Sequence, residues 1–475
     1  MSKVLKRLMG FLLCLSLILA GCGAPAEESD PTESGETTFW IVTEEGRKDG
    51  MNDLTELLIE EFEATHENVK IKLEVLPDWI DHPEEREVRL KQIRTEILAG
   101  YGPDAYLIPT AYQHDPLFPD VRTAMANGIF ADLSAYYDAD TQLGTGDLHA
   151  TVMDAGVLDG ARYVLPLRYN IPVVYGNTAA LESSGLGRVV RESDWSGMVQ
   201  ALDDSGLGDW ARFLNFGGSA TAVSLLRPEV IDYSSGEVVL SPEDAAKFLS
   251  DHQAIGVMSK LRADGAVSDF GCYIDMGEFL NEEYPVEMHN LTMMLNYTAI
   301  AAVEEQDITI LPIRAAGGDL VAQVTYYAAV GVNCQHPELA YEFLREFLTA
   351  ESQWQQNRII TNPKDHNAWI DYGWPVRTVG SVSALWEQFK THEMDIESAD
   401  GSKRKRVNAL KHLTFTDEDF PILDVPIDRV VFPGTVDQEI IFPILMSLND
   451  DATDVDIQET AEEMIFQLQI HFAEG

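Results

Sequence analysis

Apolar residues recur at two alternating spacings along the first hundred positions of this chain. Phe39-Trp40-Ile41-Val42 is a short apolar run that reads as a strand, running out into Thr43-Glu44-Glu45-Gly46. Leu54, Leu57, Leu58 and Phe62 then repeat at helical spacing, and Val69, Ile71, Leu73 and Val75 alternate as a second strand. Val88, Leu90, Ile93, Ile97 and Leu98 predict a second helix, with these residues mostly on one face. That helix stops at Gly100-Tyr101-Gly102-Pro103. Residues 104–109 form the third strand. The order β-α-β-α-β predicts a parallel sheet with helices on both faces.

Further along, Tyr163-Val164-Leu165-Pro166 and Ile171-Pro172-Val173-Val174-Tyr175 read as extended segments. Ser241-Pro242-Glu243-Asp244 opens a long helix, with a serine cap, proline in the first turn and acids against the helix dipole. Pro337 opens another, whose stripe is Leu339, Phe343, Leu344, Phe347 and Leu348. Ile457, Ala461, Met464, Ile465, Leu468 and Phe472 mark an amphipathic helix at the end of the chain. The pattern contains no internal repeat.

Residues 1–21 have another character. Lys3, Lys6 and Arg7 precede an apolar run from Leu8 to Ala20, and small residues follow, which is the three-part build of a secretory signal. The run is too short to span a bilayer comfortably. Residues 22–37 are rich in Pro, Ser, Glu and Thr and read as a flexible stalk, on the order of 20 Å in reach. The remainder suffices for two or three domains at roughly 100–200 residues each. With 79 acids against 33 Lys and Arg, the formal charge is -46. Such a surface repels nucleic acid and anionic headgroups. A hydrophobic fraction of 45% and eight tryptophans provide for real cores, so disorder is excluded. Ser402-Lys403-Arg404-Lys405-Arg406 is the one basic cluster and reads as a solvated loop. Beyond the leader and Cys22, only Cys272 and Cys334 remain. Free thiols are expected there, one disulfide being the alternative. No Cys or His spacing suggests zinc.

Several local motifs, in order, resemble known families. Leu19-Ala20-Gly21-Cys22 resembles the bacterial lipobox, which implies a lipidated Cys22. Gly100-Tyr101-Gly102-Pro103-Asp104-Ala105 and Ala126-Asn127-Gly128-Ile129-Phe130-Ala131-Asp132-Leu133 resemble segments of the extracellular solute-binding proteins of ABC importers, in the maltose-binding-like class. Leu165-Pro166 with Asn177 and Gly185-Leu186 is similar to that family's first crossover, although the family's tyrosine before the asparagine is Gly176 here. Asp194-Trp195-Ser196, Met294-Leu295-Asn296-Tyr297, Leu311-Pro312, Ala340-Tyr341-Glu342-Phe343-Leu344 and Trp374-Pro375-Val376-Arg377 continue the series, with Tyr297 standing where tryptophan is common.

The resemblance implies a two-lobed α/β fold of the type II periplasmic-binding (Venus flytrap) kind, each lobe a β-sheet flanked by helices. Lobe one is expected at 38–168 with 298–335, and lobe two at 170–296 with 337–475. The implied protein is a non-enzymatic, lipid-anchored, extracytoplasmic monomer. It captures a small solute, with a sugar or oligosaccharide favoured, and delivers it to transmembrane permease subunits without a cofactor or nucleic acid. A non-sugar solute (a polyamine, peptide or sugar acid) is the alternative, and a secreted glycosidase a more remote one. Among chemical motifs, no Gly-x-Ser-x-Gly or His-Glu-x-x-His is present. Asp138 with Asp140, and Asp450-Asp451 with Asp454 and Asp456, raise a calcium reading, but neither has the glycine and terminal glutamate of a calcium loop. Acidic surface turns are the favoured reading.

In an open parallel sheet the loops at the carboxyl ends of strands form the binding crevice. That rule nominates Glu44 after the first strand and Thr110 and Tyr112 after the third. Tyr169-Asn170 and Asn296-Tyr297 sit at the implied crossovers. Sugars need flat aromatic faces and planar polar groups. Tyr112, Tyr169, Tyr297, Tyr326, Tyr327 and Trp374 offer the first, with core packing as the competing role of each. Glu44, Asn170 and Asn296 offer the second. Arg168 either clamps a carboxylate or pairs with a neighbouring acid. Trp40 and Trp195 read as structural.

Overall fold

The computed structural model describes residues 37–44, 51–79, 81–110, 115–205, 211–212, 223, 225–226, 230–232, 237–258, 286–291, 308–350, 352–353, 373–378, 395–397, 403–406, 425–448 and 452–474. Over the described part of residues 37–109 the elements come in the order that the apolar periodicity predicts. Strand β1 (Thr37–Thr43) leads to helix α1 (Met51–Thr65), β2 (Val69–Val75), α2 (Pro83–Leu98) and β3 (Ala105–Pro109). β1 pairs in parallel with β2, Thr37 opposite Val69 through Thr43 opposite Val75, and with β3, Ile41 opposite Ala105.

The inward face of α2 differs from the expected one. Arg86, Leu90 and Ile93 are buried, whereas Val88 is 57% and Leu98 87% exposed. A stripe at 86, 90, 93 and 97 is the truer helical period, and it contains a charge. Arg86 therefore needs a buried partner.

The next elements are β4 (Val164–Asn177), α3 (Trp195–Ser205), α4 (Pro242–Met258), β5 (Val286–Leu291), β6 (Ile308–Pro312) and β7 (Val321–Val330). After them come α5 (Pro337–Arg345), β8 (Trp374–Pro375), β9 (Arg429–Val431) and α6 (Asp454–Glu474). Ten strands hydrogen-bond into one mixed sheet, in the order β2-β1-β3-β7-β4-β5 and then the pair 211–212. β6 and β8 pair with β4, and β9 with β7. The two extended segments expected around 163–175 are one continuous strand, β4. Its first half pairs with β7 and its second half with β5 and β6.

Two hydrophobic cores lie on this frame. In the first, Phe39, Phe62, Phe343 and Phe347 meet edge to face, with ring centroids 5.4–6.1 Å apart. In the second, Trp195 is fully buried and stacks on Phe248 at 5.5 Å, among residues of α3, α4 and α6. Trp195 is thus structural. Trp40 is half-buried, with Lys72 and Arg89 over its ring.

The chain passes between the cores at 173–174 in β4, again at 320–322, and again along 427–436. These passages differ from the boundaries expected from sequence. β6, expected in lobe one, contributes Leu311 to the second core, while its Ile310 packs against the first. α5, expected in lobe two, contributes Ala340, Tyr341, Phe343 and Leu344 to the first. The basic cluster forms a short strand, Lys403–Arg406, antiparallel to Asp395–Glu397, where a loop was expected. Cys334 is a half-buried free thiol, pushed up to about 11 by burial, and Cys272 lies outside the described residues. Among the described residues no helix is long and apolar enough to cross a membrane.

Candidate functional site

The carboxyl ends of β1 and β3 emerge on one edge of the sheet, beside the point where β7 meets β4. Neighbouring strands bring the candidate residues into line. Tyr326 lies opposite Pro109 on one side and Arg168 on the other, Trp374 lies opposite Tyr169, and Gln323 opposite Asn170. The register of β7 slips between Val324 and Tyr327, an irregularity that re-aims side chains locally. Thr110 closes the gap, its amide donating to Thr325 O at 2.9 Å and its hydroxyl to Val324 O at 2.5 Å.

Eight sequence-nominated residues are therefore gathered on adjacent strands: Glu44, Thr110, Arg168, Tyr169, Asn170, Tyr326, Tyr327 and Trp374. All are 6% exposed or less. Tyr112, Asn296 and Tyr297 lie outside the described residues, as does Cys22.

Each gathered residue has a distinct environment. Glu44 accepts from Arg86 and, at 2.8 Å, from the Leu117 amide. Burial pushes its carboxyl above the ordinary value of 4.5, against the pull of Arg86 and that amide. Arg168 donates to the backbone carbonyl of Gln353 at 2.9 Å, so it ties the strand to the segment behind it. Gln353 answers with its own side-chain amide, which donates to Phe347 O at 2.7 Å. Tyr169 packs against His149, with centroids 5.5 Å apart, and Tyr327 packs edge-on against Phe432 at 5.8 Å. Burial raises the phenol pKa of both Tyr169 and Tyr327, so both are neutral hydroxyls in ordinary buffers.

Some polar atoms here are buried without a hydrogen-bond partner, among them Asn170 Oδ1, Tyr327 Oη, Gln353 Oε1 and Thr435 Oγ1. Native interiors satisfy nearly all such groups with protein or water. Tyr169, Tyr326, Tyr327 and Trp374 belong to the first hydrophobic core, and these neutral acceptors and hydroxyls lie among its rings. Among the described residues no group of three His, Cys, Asp or Glu side chains is placed to hold a metal. Asp140, one of the calcium candidates, is engaged instead by the amides of Gln142 and Leu143 and by Tyr341 and Arg345. Asp456 caps its own helix by accepting from Thr453.

Sequence reasoning missed Arg86, Arg94 and Gln353. Arg86 carried a usable signal, a lone cation on the apolar stripe of α2. Arg94 and Gln353 carried none.

The family model for bacterial extracellular solute-binding proteins matches residues 47–354, and the chain belongs to that family. The fold agrees with solved structures at low identity. The galacto-N-biose-/lacto-N-biose I-binding protein of the ABC transporter from Bifidobacterium longum, in complex with lacto-N-biose, is 14% identical with a TM-score of 0.55. That match covers 93% of this chain and 99% of the other. The cyclic alpha-maltosyl-1,6-maltose binding protein from Arthrobacter globiformis is 16% identical, TM-score 0.52, covering 92% and 100%. A de novo designed cysteine esterase is similar at 15% identity, TM-score 0.56, covering 93% and 99%. At such identities the likeness is one of fold and carries no activity. The sequence has no match among curated proteins.

Proposed function

We propose that this protein is the solute-capturing subunit of an ABC importer, held at the outer face of the cell membrane by a lipid on Cys22. In this reading it carries out no catalysis. It takes up a carbohydrate between its two lobes and hands it to the permease subunits. The observation that carries the reading is the family match over 47–354 on a chain whose two cores are joined by three passages. The buried line of Thr110, Asn170, Tyr326, Tyr327 and Trp374 supports it as a polar and aromatic layer beneath the proposed binding surface, in which Asn170 Oδ1 and Tyr327 Oη have no protein hydrogen-bond partner. Tyr112, Asn296 and Tyr297 complete the proposed contacts. The carbohydrate-binding neighbours support the choice of ligand class by analogy of fold.

The test is a thermal-shift screen of residues 22–475 against mono- and oligosaccharides, with uronates, polyamines and amino acids as comparison arms. A ligand that binds only the native state at about 100 times its Kd adds about 2.7 kcal/mol of stability. At least one neutral carbohydrate is expected to raise the melt. A shift confined to polyamines or amino acids would reject the sugar, and turnover of a glycoside would reject the non-catalytic role.

A further inference from the structure

Glu44 occupies the position of a ligand contact, yet both its carboxylate oxygens are committed elsewhere. Oε1 accepts from the Leu117 amide at 2.8 Å, and Oε2 from Arg86, the guanidinium buried on α2. Arg86 also reaches Pro77 O and Asp115 O, each at 3.3 Å. Two helical turns further on, Arg94 bonds Asp115 Oδ1 at 2.8 Å, Pro116 O at 2.7 Å and Leu117 O at 3.2 Å. Every backbone carbonyl from Asp115 to Leu117 is therefore held by a guanidinium. Asp115 itself sits at φ +46, a conformation that a non-glycine residue holds only when its surroundings impose it.

The far end of this turn has a second function. Pro119 O accepts from the Thr435 amide at 3.0 Å, and Gly434 lies so close that an added Cβ would fall 2.5 Å from the same oxygen. Gly434 and Thr435 lie on the third passage between the cores. Phe432, just before them, is in the first core, and Val436, which opens a π-helix (Val436–Ile441), is in the second. The Asp437 carboxylate folds back onto the Gly434 amide at 2.6 Å, which fixes that end of the passage.

We propose that Glu44 is a positioning residue: through Arg86 and the Leu117 amide it fixes the 115–119 turn as the seat of the third passage between the lobes. It acts on solute capture without touching the solute. The inference rests on the proposed solute-binding role only for its purpose; the mechanical claim stands on the bonds above. Hinged closure needs linking segments with a fixed end, and a buried ion pair is a costly way to gain stability alone. A rigid seat is what such a pair supplies here. The charged and titratable groups facing it are Arg86 and Arg94 from α2, Asp115 and Asp120 from the turn and its following helix, and Tyr327 from β7.

Amide hydrogen exchange on the full chain tests this with no solute present. In Glu44→Gln, exchange at Leu117 and Thr435 is expected to rise together, by about tenfold or more. The amides of β7 should stay unchanged, which separates local release from general destabilisation. Gly434→Ala, which disturbs the seat from the other side, should raise exchange at Thr435 and leave Leu117 protected. Should Glu44→Gln fail to fold with Arg86 left unpaired, the double variant Glu44→Gln/Arg86→Met removes both charges and carries the same expectation. A rise at Leu117 alone, or a uniform rise across β7, overturns the proposal. If both sites respond in the expected way but the solute screen gives no hit, the positioning role stands and the solute-binding reading fails.

Discussion

Asp140 ties its own turn to α5 with one carboxylate. Burial alone would push its pKa up. The Leu143 and Gln142 amides, the Tyr341 hydroxyl and the charge of Arg345 outweigh that, and hold it below the ordinary 3.8. A carboxylate with a depressed folded pKa contributes stability that is complete above its unfolded value and is lost as pH falls through the folded one. Asp140→Asn is therefore expected to cost about 1.5–3 kcal/mol at neutral pH, the range for hydrogen bonds to a charged group. The variant and wild-type melting curves should converge as the buffer is taken below 3.8. Curves that stay parallel well below that pH would place the acid-sensitive contact elsewhere. At this scale the sequence is least informative. Glu44, Arg86 and Arg168 look like surface charges or ligand contacts in a strongly acidic chain. Their partners, Leu117, Glu44 and the Gln353 carbonyl, stand far away in sequence, and no local pattern announces them.

Among the elements, the most legible are those whose apolar period is local. β1, α1, β2 and β3 follow their stripes, α2 forms at the expected place with its inward face shifted to Arg86, Leu90 and Ile93, and the serine and proline signals before α4 match the helix Pro242–Met258, where the Asp244 amide donates to Ser241 Oγ at 3.1 Å. β4 was harder to read whole, because Pro166 and Pro172 look like breaks. Strand pairing carries the chain through both, with Tyr327 opposite Pro166 and Asn290 opposite Pro172. The short β8 is invisible to periodicity, since two residues have no period; its place depends on Gly373. That glycine has φ +91, and an added Cβ would lie 2.3 Å from Tyr169 O. Gly373→Ala should therefore cost at least about 1–3 kcal/mol in a denaturant titration and detach β8 from β4, exposing Trp374. An unshifted midpoint with unchanged tryptophan fluorescence would show that β8 is held by something other than this close approach.

For the whole molecule, the charge of -46 sets the conditions of work. A body this acidic is repelled by anionic headgroups, so it does not adsorb to a membrane through its own surface. In the proposed reading, membrane attachment therefore rests on the lipid at Cys22. Cys22→Ala is expected to move the protein from the membrane fraction to the soluble fraction of the producing cell. Unchanged partition would mean that the leader, or another part of the chain, holds it there. The two-lobed class is legible from motif order. The lobe boundaries are less so, because β6 and α5 present the same apolar stripes whichever core receives them.

The three passages between the cores also set the order in which this protein can be made. The first core draws on residues from Phe39 to Phe432, and the second on residues from Val174 to Leu468. Neither can close on a nascent chain until nearly all of it has been synthesised, since its last contacts come from the far end. Contacts so distant in sequence make folding slow and late. If residues 1–21 act as the secretory signal expected from sequence, that delay keeps the chain threadable during export. The interleaving that joins the two cores would then also act as a timer, holding back the folded state until late in synthesis.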